Sequence, residues 1–180
     1  HPLDGSARVA AEFSSVPVIN AGSGSEEHPT QALLDLYSIK KLKGRIDGLT
    51  ISLCGDLKYG RTVHSLGMGL SHYDGKIKRA APEQLRMKPA IIDEMKKAGV
   101  EVEQVDDVKD AVKDVDVVYM TRIQKERFPD VREYDKVKGM FRIGAAEAEL
   151  MRDDTIILHP LPRVDELSAS IDALPQAKYF

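Results

Sequence analysis

Three side chains suited to binding anions or polarised carbonyl groups follow predicted strands of this chain: His28, Arg61 and Arg122. His28 stands before Pro29, which suits the first position of a helix, so the imidazole and the backbone N–H groups behind it lie at a helix N-terminus. A helix N-terminus is a natural site for an anion or for a polarised carbonyl oxygen. The sequence around His28 therefore predicts a binding point for such a group.

The two arginines indicate a ligand that carries carboxylates. Arg61 lies in the first turn of its predicted helix, where the helix dipole disfavours a cation by up to about 1 kcal/mol, so another interaction is needed to keep it there. The planar guanidinium binds a carboxylate through two parallel hydrogen bonds. Arg61 and Arg122, at the ends of neighbouring strands, would suit a ligand with two carboxylates.

The elements that must position these residues alternate between short β-rich runs and stretches with helical spacing of apolar residues. The β-like runs are Val16–Asn20, Thr50–Cys54, Lys76–Ala81, Val100–Val105, Val117–Met120 and Thr155–Leu158. This alternation predicts βαβ units and an α/β fold, a Rossmann-like parallel sheet flanked by helices. In such sheets ligands bind at the carboxyl ends of the strands, near a topological switch point.

The helix that follows His28 is apolar on most of its sides, with Leu33, Leu34, Tyr37 and Ile39 spread around it. A helix of this kind is usually buried. We therefore expect it to lie between two bodies of the protein.

The composition argues against several classes of function. The 180 residues are 42% hydrophobic and 31% charged with a net charge of −3, so nucleic acid is not an expected partner. No apolar run approaches the roughly 18 residues of a membrane-spanning helix. Cys54, the single cysteine, cannot form an internal disulfide, which fits the cytoplasm. We expect no cofactor and no metal, because residues 22–25 lack the dinucleotide-binding glycine fingerprint and no zinc-ligand cluster is present.

Four motifs resemble the aspartate carbamoyltransferases, in that family's order and spacing and over essentially the whole chain. They are His28-Pro29-Thr30-Gln31 with Leu33-Leu34-Asp35-Leu36, the run Gly55–Leu66, the run Tyr119–Phe128 and the run Leu158–Glu166. The resemblance implies the aspartate/ornithine carbamoyltransferase fold, in part. It also implies transfer of a carbamoyl group from carbamoyl phosphate to the amine of L-aspartate, a committed step of pyrimidine synthesis.

The resemblance assigns a role to each substrate-binding side chain. His28 and Gln31 would contact the carbamoyl group, with His28 near the carbonyl oxygen as the donor to the developing oxyanion. Arg61 would bind the α-carboxylate of aspartate and Arg122 the β-carboxylate. Gln124 would help to hold the aspartate end of the ligand.

The last motif is expected to form a turn that lines the site. The resemblance implies that the carbonyl groups of Leu161 and Pro162 face the carbamoyl group and the amine. It also implies a cis bond between these two residues, a form found in only about 5–6% of X–Pro bonds. His159 would orient the turn. We favour a structural role for His159 and for His64, and we read Cys54 as a small core residue.

The resemblance further implies two domains and an assembly. Residues 1–43 would form the end of the carbamoyl-phosphate-binding domain and a linking helix, and residues 44–180 the aspartate-binding domain. Full-length chains would form a homotrimer, with the presence of regulatory chains left open. The phosphate-binding Ser-Thr-Arg-Thr motif of the family is absent from these residues. We therefore read the chain as a piece of a longer one and expect it to be inactive alone.

Three other functions remain as alternatives. An ornithine-using sister enzyme shares the motif at His28, but it usually has a cysteine where this chain has Pro160, and it lacks the arginine motif around Arg122. A non-catalytic Rossmann-like binding module is disfavoured by the intact His28 and arginines. A dehydrogenase is disfavoured by the missing glycine fingerprint. Lys58 and residues 125–127 are either solvated charges or contacts that control closure between domains or subunits.

Overall fold

A computed structural model describes residues 1–125, 128 and 130–180 of the chain. The α-helices are α1 Ser6–Phe13, α2 Pro29–Lys43, α3 Arg61–Leu70, α4 Pro89–Lys97, α5 Val108–Val112, α6 Val131–Val137 and α7 Ala145–Ala148. The strands are β1 Leu49–Cys54, β2 Gly75–Ala80, β3 Glu101–Val105, β4 Val117–Met120 and β5 Ile156–Leu158. Short 3₁₀ turns lie at Glu83–Leu85 and Ala169–Ile171.

Within these described residues, five strands form one parallel sheet in the order β3-β2-β1-β4-β5. The chain passes from β1 outward to β2 and β3, and then crosses back to place β4 on the other side of β1. The order reverses between β1 and β4, so their carboxyl ends form the topological switch point at which ligands bind in sheets of this kind. The predicted α/β fold with a parallel sheet is confirmed.

The core lies on both faces of the sheet, because alternate residues of each strand point to opposite sides. Ile51 and Leu53 of β1 belong to the cluster under α2, α3 and α4. Cys54 belongs to the cluster on the other face, with Val118 and Ile157, and is fully buried. Burial raises the pKa of the Cys54 thiol to about 12, so Cys54 is a core residue, as predicted.

Helix α2 has one buried face and one exposed face. Its face formed by Ala32, Asp35 and Ile39 is buried. In contrast, Leu33 is 68% exposed and Tyr37 is 64% exposed. No described residue covers that apolar face, so the expectation that α2 lies between two bodies stays a prediction. α2 has 15 residues and is the longest helix of the described chain. No helix among the described residues is long and apolar enough to cross a membrane.

The predicted strand at Val16–Asn20 is wrong. These residues are assigned to no strand, and Val16 and Ile19 are exposed. A strand is stabilised by the hydrogen-bonded ladder to its neighbour, and no described residue pairs with this segment. β-branched residues indicate a local preference for a strand, but a strand also needs a hydrogen-bonded neighbour.

Candidate active site

The carboxyl ends of β1 and β4 are joined directly at the switch point. The N–H of Thr121 donates to the carbonyl oxygen of Cys54 at 2.9 Å, and the N–H of Asp56 donates to Oγ1 of Thr121 at 3.2 Å. Gly55 has a φ of +105°, and a Cβ there would lie 2.2 Å from the Thr121 carbonyl oxygen. Only glycine fits this approach. The contact brings the segment that leads to Arg61 beside the segment that carries Arg122.

Asp56 shapes the turn between β1 and α3. The residue is fully buried, and its Oδ1 accepts the N–H groups of Lys58 at 3.1 Å and Tyr59 at 2.9 Å. A carboxylate that bonds N–H groups two and three residues ahead fixes a turn. The turn delivers Arg61 as the first residue of α3, which is the position that the sequence predicts.

Arg61 is held against the loop that precedes α2. Its Nη1 donates to the carbonyl oxygen of Gly24 at 3.1 Å. Gly22 has a φ of +115°, and a Cβ at that residue would lie 2.7 Å from Cζ of Arg61. This packing supplies an interaction of the kind that a cation in the first turn of a helix requires.

His28 forms the N-cap of α2, as predicted. Its Nδ1 accepts the N–H of Gln31 at 3.2 Å, and its own N–H donates to Oγ of Ser65 at 2.8 Å. Burial, followed by the positive charge of Arg61, lowers the pKa of His28. The imidazole is therefore neutral at pH 7, with its proton on Nε2, which leaves Nε2–H as a donor.

Gln31 belongs to a buried chain of hydrogen bonds that the sequence reasoning missed. Its Nε2 donates to Oδ1 of Asp35 at 3.0 Å, and the hydroxyl of Tyr119 on β4 donates to Oδ2 of Asp35 at 2.8 Å. Burial raises the pKa of Asp35 to about 6, against the opposing hydrogen bonds from Gln31 and Tyr119. An acidic residue four positions after Gln31, on the buried face of an apolar helix, was the available signal.

Arg122 and Gln124 follow β4 beyond Thr121, and both are half-buried. Their place in the chain puts them at the edge of the sheet next to Asp56, as the parallel order predicts. Lys125 is exposed, and Glu126 and Arg127 of the same motif lie outside the described residues. The roles assigned to Arg122 and Gln124 stay predictions.

The turn after β5 contains the expected cis bond between Leu161 and Pro162. The N–H of Leu161 donates to Nδ1 of His159 at 2.8 Å, and Nε2 of His159 lies 2.8 Å from Oε1 of Glu166. His159 and Glu166 are buried, and Oε1 of Glu166 also accepts the N–H of Val164. Although burial raises the pKa of Glu166, the bond from His159 and those from the backbone hold it below its usual value. The predicted contact between His159 and the turn is confirmed.

His64 connects two loops of the site. Its Nε2 lies 2.9 Å from the carbonyl oxygen of Leu57, and its Nδ1 lies 3.4 Å from that of Glu26. The side chain is buried, and desolvation lowers its pKa. These contacts agree with the structural role that we favour.

The fold and this strand-end site define a class of protein. Residues 47–180 match the model for the aspartate/ornithine carbamoyltransferase Asp/Orn binding domain, and residues 1–41 match that for the carbamoyl-P binding domain. The chain belongs to the aspartate/ornithine carbamoyltransferase family.

Within that family, the chain is similar to aspartate enzymes. It is 53% identical to the aspartate carbamoyltransferase catalytic subunit of Thermococcus onnurineus, over 100% of this chain and 58% of the relative. It is 54% identical to the aspartate carbamoyltransferase catalytic subunit of Methanopyrus kandleri, over 100% of this chain and 59% of the relative. Among solved structures, the catalytic subunit of M. jannaschii aspartate transcarbamoylase has a TM-score of 0.87 and 51% identity, over 99% of this chain and 58% of that one.

A Trypanosoma cruzi aspartate transcarbamoylase in complex with carbamoyl phosphate and aspartate has a TM-score of 0.93 and 38% identity, over 99% of this chain and 59% of that one. The present chain thus spans a little under three fifths of the length of these relatives.

Proposed function

We propose that the complete protein containing these residues transfers the carbamoyl group of carbamoyl phosphate to the amine of L-aspartate, giving N-carbamoyl-L-aspartate and phosphate. The supporting observation is the meeting of β1 and β4, which brings the segments of Arg61 and Arg122 to one sheet edge near His28. The relatives named above act in the aspartate branch of the family. Pro160 and the arginine motif around Arg122 favour aspartate over ornithine.

The neutral His28 suits the chemistry at the carbamoyl group. The aspartate amine attacks the carbamoyl carbon, the carbonyl oxygen becomes an oxyanion, and collapse of the tetrahedral intermediate expels phosphate while the amine loses a proton. The Nε2–H of His28 donates to the oxyanion. Gln31 holds the carbamoyl amide. No protein nucleophile is needed, so catalysis depends on positioning the two reactants and on stabilising charge in the transition state.

The remaining site residues bind aspartate. We assign the α-carboxylate to Arg61 and the β-carboxylate to Arg122, since each guanidinium can donate two parallel hydrogen bonds to a carboxylate. Gln124 supports the same end of the ligand. The carbonyl groups of Leu161 and Pro162, on the turn that His159 holds, accept hydrogen bonds from the attacking amine and from the carbamoyl group.

The wider organisation is also part of the proposal. Residues 1–43 form the end of the carbamoyl-phosphate domain and the linking helix, residues 44–180 form the aspartate domain, and full-length chains assemble as a cytoplasmic homotrimer in pyrimidine synthesis. The 180 residues alone are expected to show no transfer, because the Ser-Thr-Arg-Thr phosphate motif is absent from them. Turnover by the purified 180-residue chain would contradict this.

The test replaces Arg122 by Ala in the complete protein, with Arg45→Ala as the control at an exposed arginine. Loss of a charge-assisted interaction of about 1.5–3 kcal/mol corresponds to a KM for aspartate raised by roughly tenfold or more. The KM for carbamoyl phosphate should change far less. Equal effects on both constants would contradict the assignment, as would a crystal with N-(phosphonacetyl)-L-aspartic acid in which Arg122 contacts neither carboxylate.

A further inference from the structure

A second concave site lies at the carboxyl end of β2, on the side of β1 opposite to β4 and β5. It is an open hollow of about 490 Å³, and its polar lining consists of Lys58, Arg79, Arg86, Lys88 and Gln104. It shares no lining residue with the side chains assigned to substrate. None of the described residues that line it is acidic. Four cationic side chains therefore line one hollow.

Arg79 is the unusual member of this group. It is only 8% exposed, and its Nε is buried with no hydrogen-bond partner among the described residues. No described carboxylate forms an ion pair with its guanidinium. A buried donor left without an acceptor costs about 1–3 kcal/mol, and more when it is charged. Burial, followed by the charge of Arg86, lowers the pKa of Arg79, which records the same unfavourable setting.

The other charges do not relieve this setting. The acidic side chain at the rim, Asp106, is 2.7 Å from Nη2 of Arg86 and is largely exposed. Lys88 is the N-cap of α4, a helix of nine residues, so the positive end of that helix dipole adds to the field of the hollow. An anion in the hollow would supply the acceptor that Nε of Arg79 lacks among the described residues.

The rest of the lining is apolar. It is formed by Met87, Pro89 and Ile92. Pockets of about 300–1,000 Å³ that combine an apolar wall with a few convergent polar groups are typical of sites for small organic ligands. Guanidinium groups bind phosphate through paired hydrogen bonds, and phosphate offers more acceptors than a carboxylate.

We propose that the hollow formed by Lys58, Arg79, Arg86 and Lys88 binds a small organic phosphate. The phosphate accepts the N–H groups of Arg79 at the base of the hollow, and the organic part lies on Met87 and Ile92. The site is separate from the transfer site, so it stands whether or not the proposed function is correct.

The test uses phenyl phosphate as the probe, with inorganic phosphate and benzoate for comparison, on the complete protein at constant ionic strength. Isothermal titration should show a binding event for phenyl phosphate that weakens at least tenfold in Arg79→Met. Arg45→Met is the matched control at an exposed arginine and should leave that event within twofold of wild type. Inorganic phosphate and benzoate should bind this site more weakly than phenyl phosphate.

Three results would overturn the proposal: an unchanged titration of Arg79→Met, equal weakening by Arg45→Met, or binding of inorganic phosphate as tight as that of phenyl phosphate. A second measurement guards against misfolding of the variant. In the wild-type protein, the ¹⁵N resonance of Arg79 Nε should shift on saturation with phenyl phosphate, and a resonance that does not move rejects the site. Turnover at saturating substrate is expected to be the same in Arg79→Met and wild type.

Discussion

Replacement of Asp35 by Asn tests the buried chain that holds Gln31. Asp35 is 5% exposed, and burial raises its pKa from 3.8 to about 6. The folded protein therefore binds this proton more tightly than the unfolded protein does. Between about pH 4 and pH 6 the folded state carries more protons at this site, so its stability falls as the pH rises through that window. Asn has no such proton to lose.

The magnitude follows from the shift of about 2 pKa units. One unit corresponds to about 1.4 kcal/mol, and the unfolded carboxyl is already partly ionised at pH 4, so Asp35 should cost the wild-type protein about 2–2.5 kcal/mol of stability by pH 7, relative to pH 4. The hydrogen bonds from Gln31 and Tyr119 lower the pKa of Asp35, and the value of about 6 already includes their effect. Asp35→Asn should remove this dependence while keeping an acceptor of the same shape.

The assay is urea denaturation at several pH values between 4 and 7, for wild type, Asp35→Asn and Asp153→Asn. Asp153 is exposed and serves as the matched control. The free energy of unfolding of wild type, minus that of Asp35→Asn, should fall by about 2–2.5 kcal/mol across this range. The difference between wild type and Asp153→Asn should stay nearly flat. Parallel curves for wild type and Asp35→Asn would refute the reasoning.

The remaining predictions concern the transfer site. His28→Ala in the complete protein should lower kcat by about 10²–10³, the loss expected for one oxyanion donor, and a normal kcat would remove it from that role. Gly22→Ala should raise the KM for aspartate, because the added Cβ meets the Arg61 guanidinium. The control is Gly48→Ala: Gly48 also has a positive φ, but a Cβ there meets no atom within 4 Å, so this variant should leave the KM for aspartate unchanged. Glu166→Gln should destabilise the fold by about 1.5–3 kcal/mol at pH 7. Because the folded pKa of Glu166 is lowered, that loss should shrink as the pH falls below about 4.5, and denaturation at pH 7 and pH 4 should show a smaller loss at pH 4.

The central strands β1, β4 and β5 could be predicted from the sequence because they are short, mostly apolar runs buried on both faces. Val117–Met120 is such a run, and the structure has β4 at those residues. Val16–Asn20 is also rich in β-branched residues, but no strand among the described residues lies beside it. Local composition reports the preference of the backbone, whereas a ladder also needs a neighbour that is distant in the chain. The same limit explains α2, whose apolar residues predict a buried helix without saying what covers it.

The position of the site could also be predicted, because the carboxyl ends of parallel strands meet at one edge. His28 at the start of α2 and Arg61 at the start of α3 follow from proline, glycine and strand-end signals. The burial of Asp35 and of Arg79 was not predicted from the sequence. Each is a charged residue inside a regular element, where a sequence pattern indicates a solvated face. Only the packing of distant elements shows that Arg79 is buried, whereas the place of Asp35 four residues after Gln31 on an apolar helix was a signal in the sequence.

The buried chain connects the two groups that would recognise a carbamoyl group. Both oxygens of Asp35 accept hydrogen bonds, from Nε2 of Gln31 and from the hydroxyl of Tyr119. Because the Gln31 amide nitrogen is directed at a carboxylate, its Oε1 is left as an acceptor for an N–H of the ligand. His28 presents a donor from the same helix end. A carbamoyl group needs this pair, since its oxygen accepts and its nitrogen donates, whereas an acetyl group offers no N–H. In the proposed site, Asp35 would thus set the orientation of the Gln31 amide.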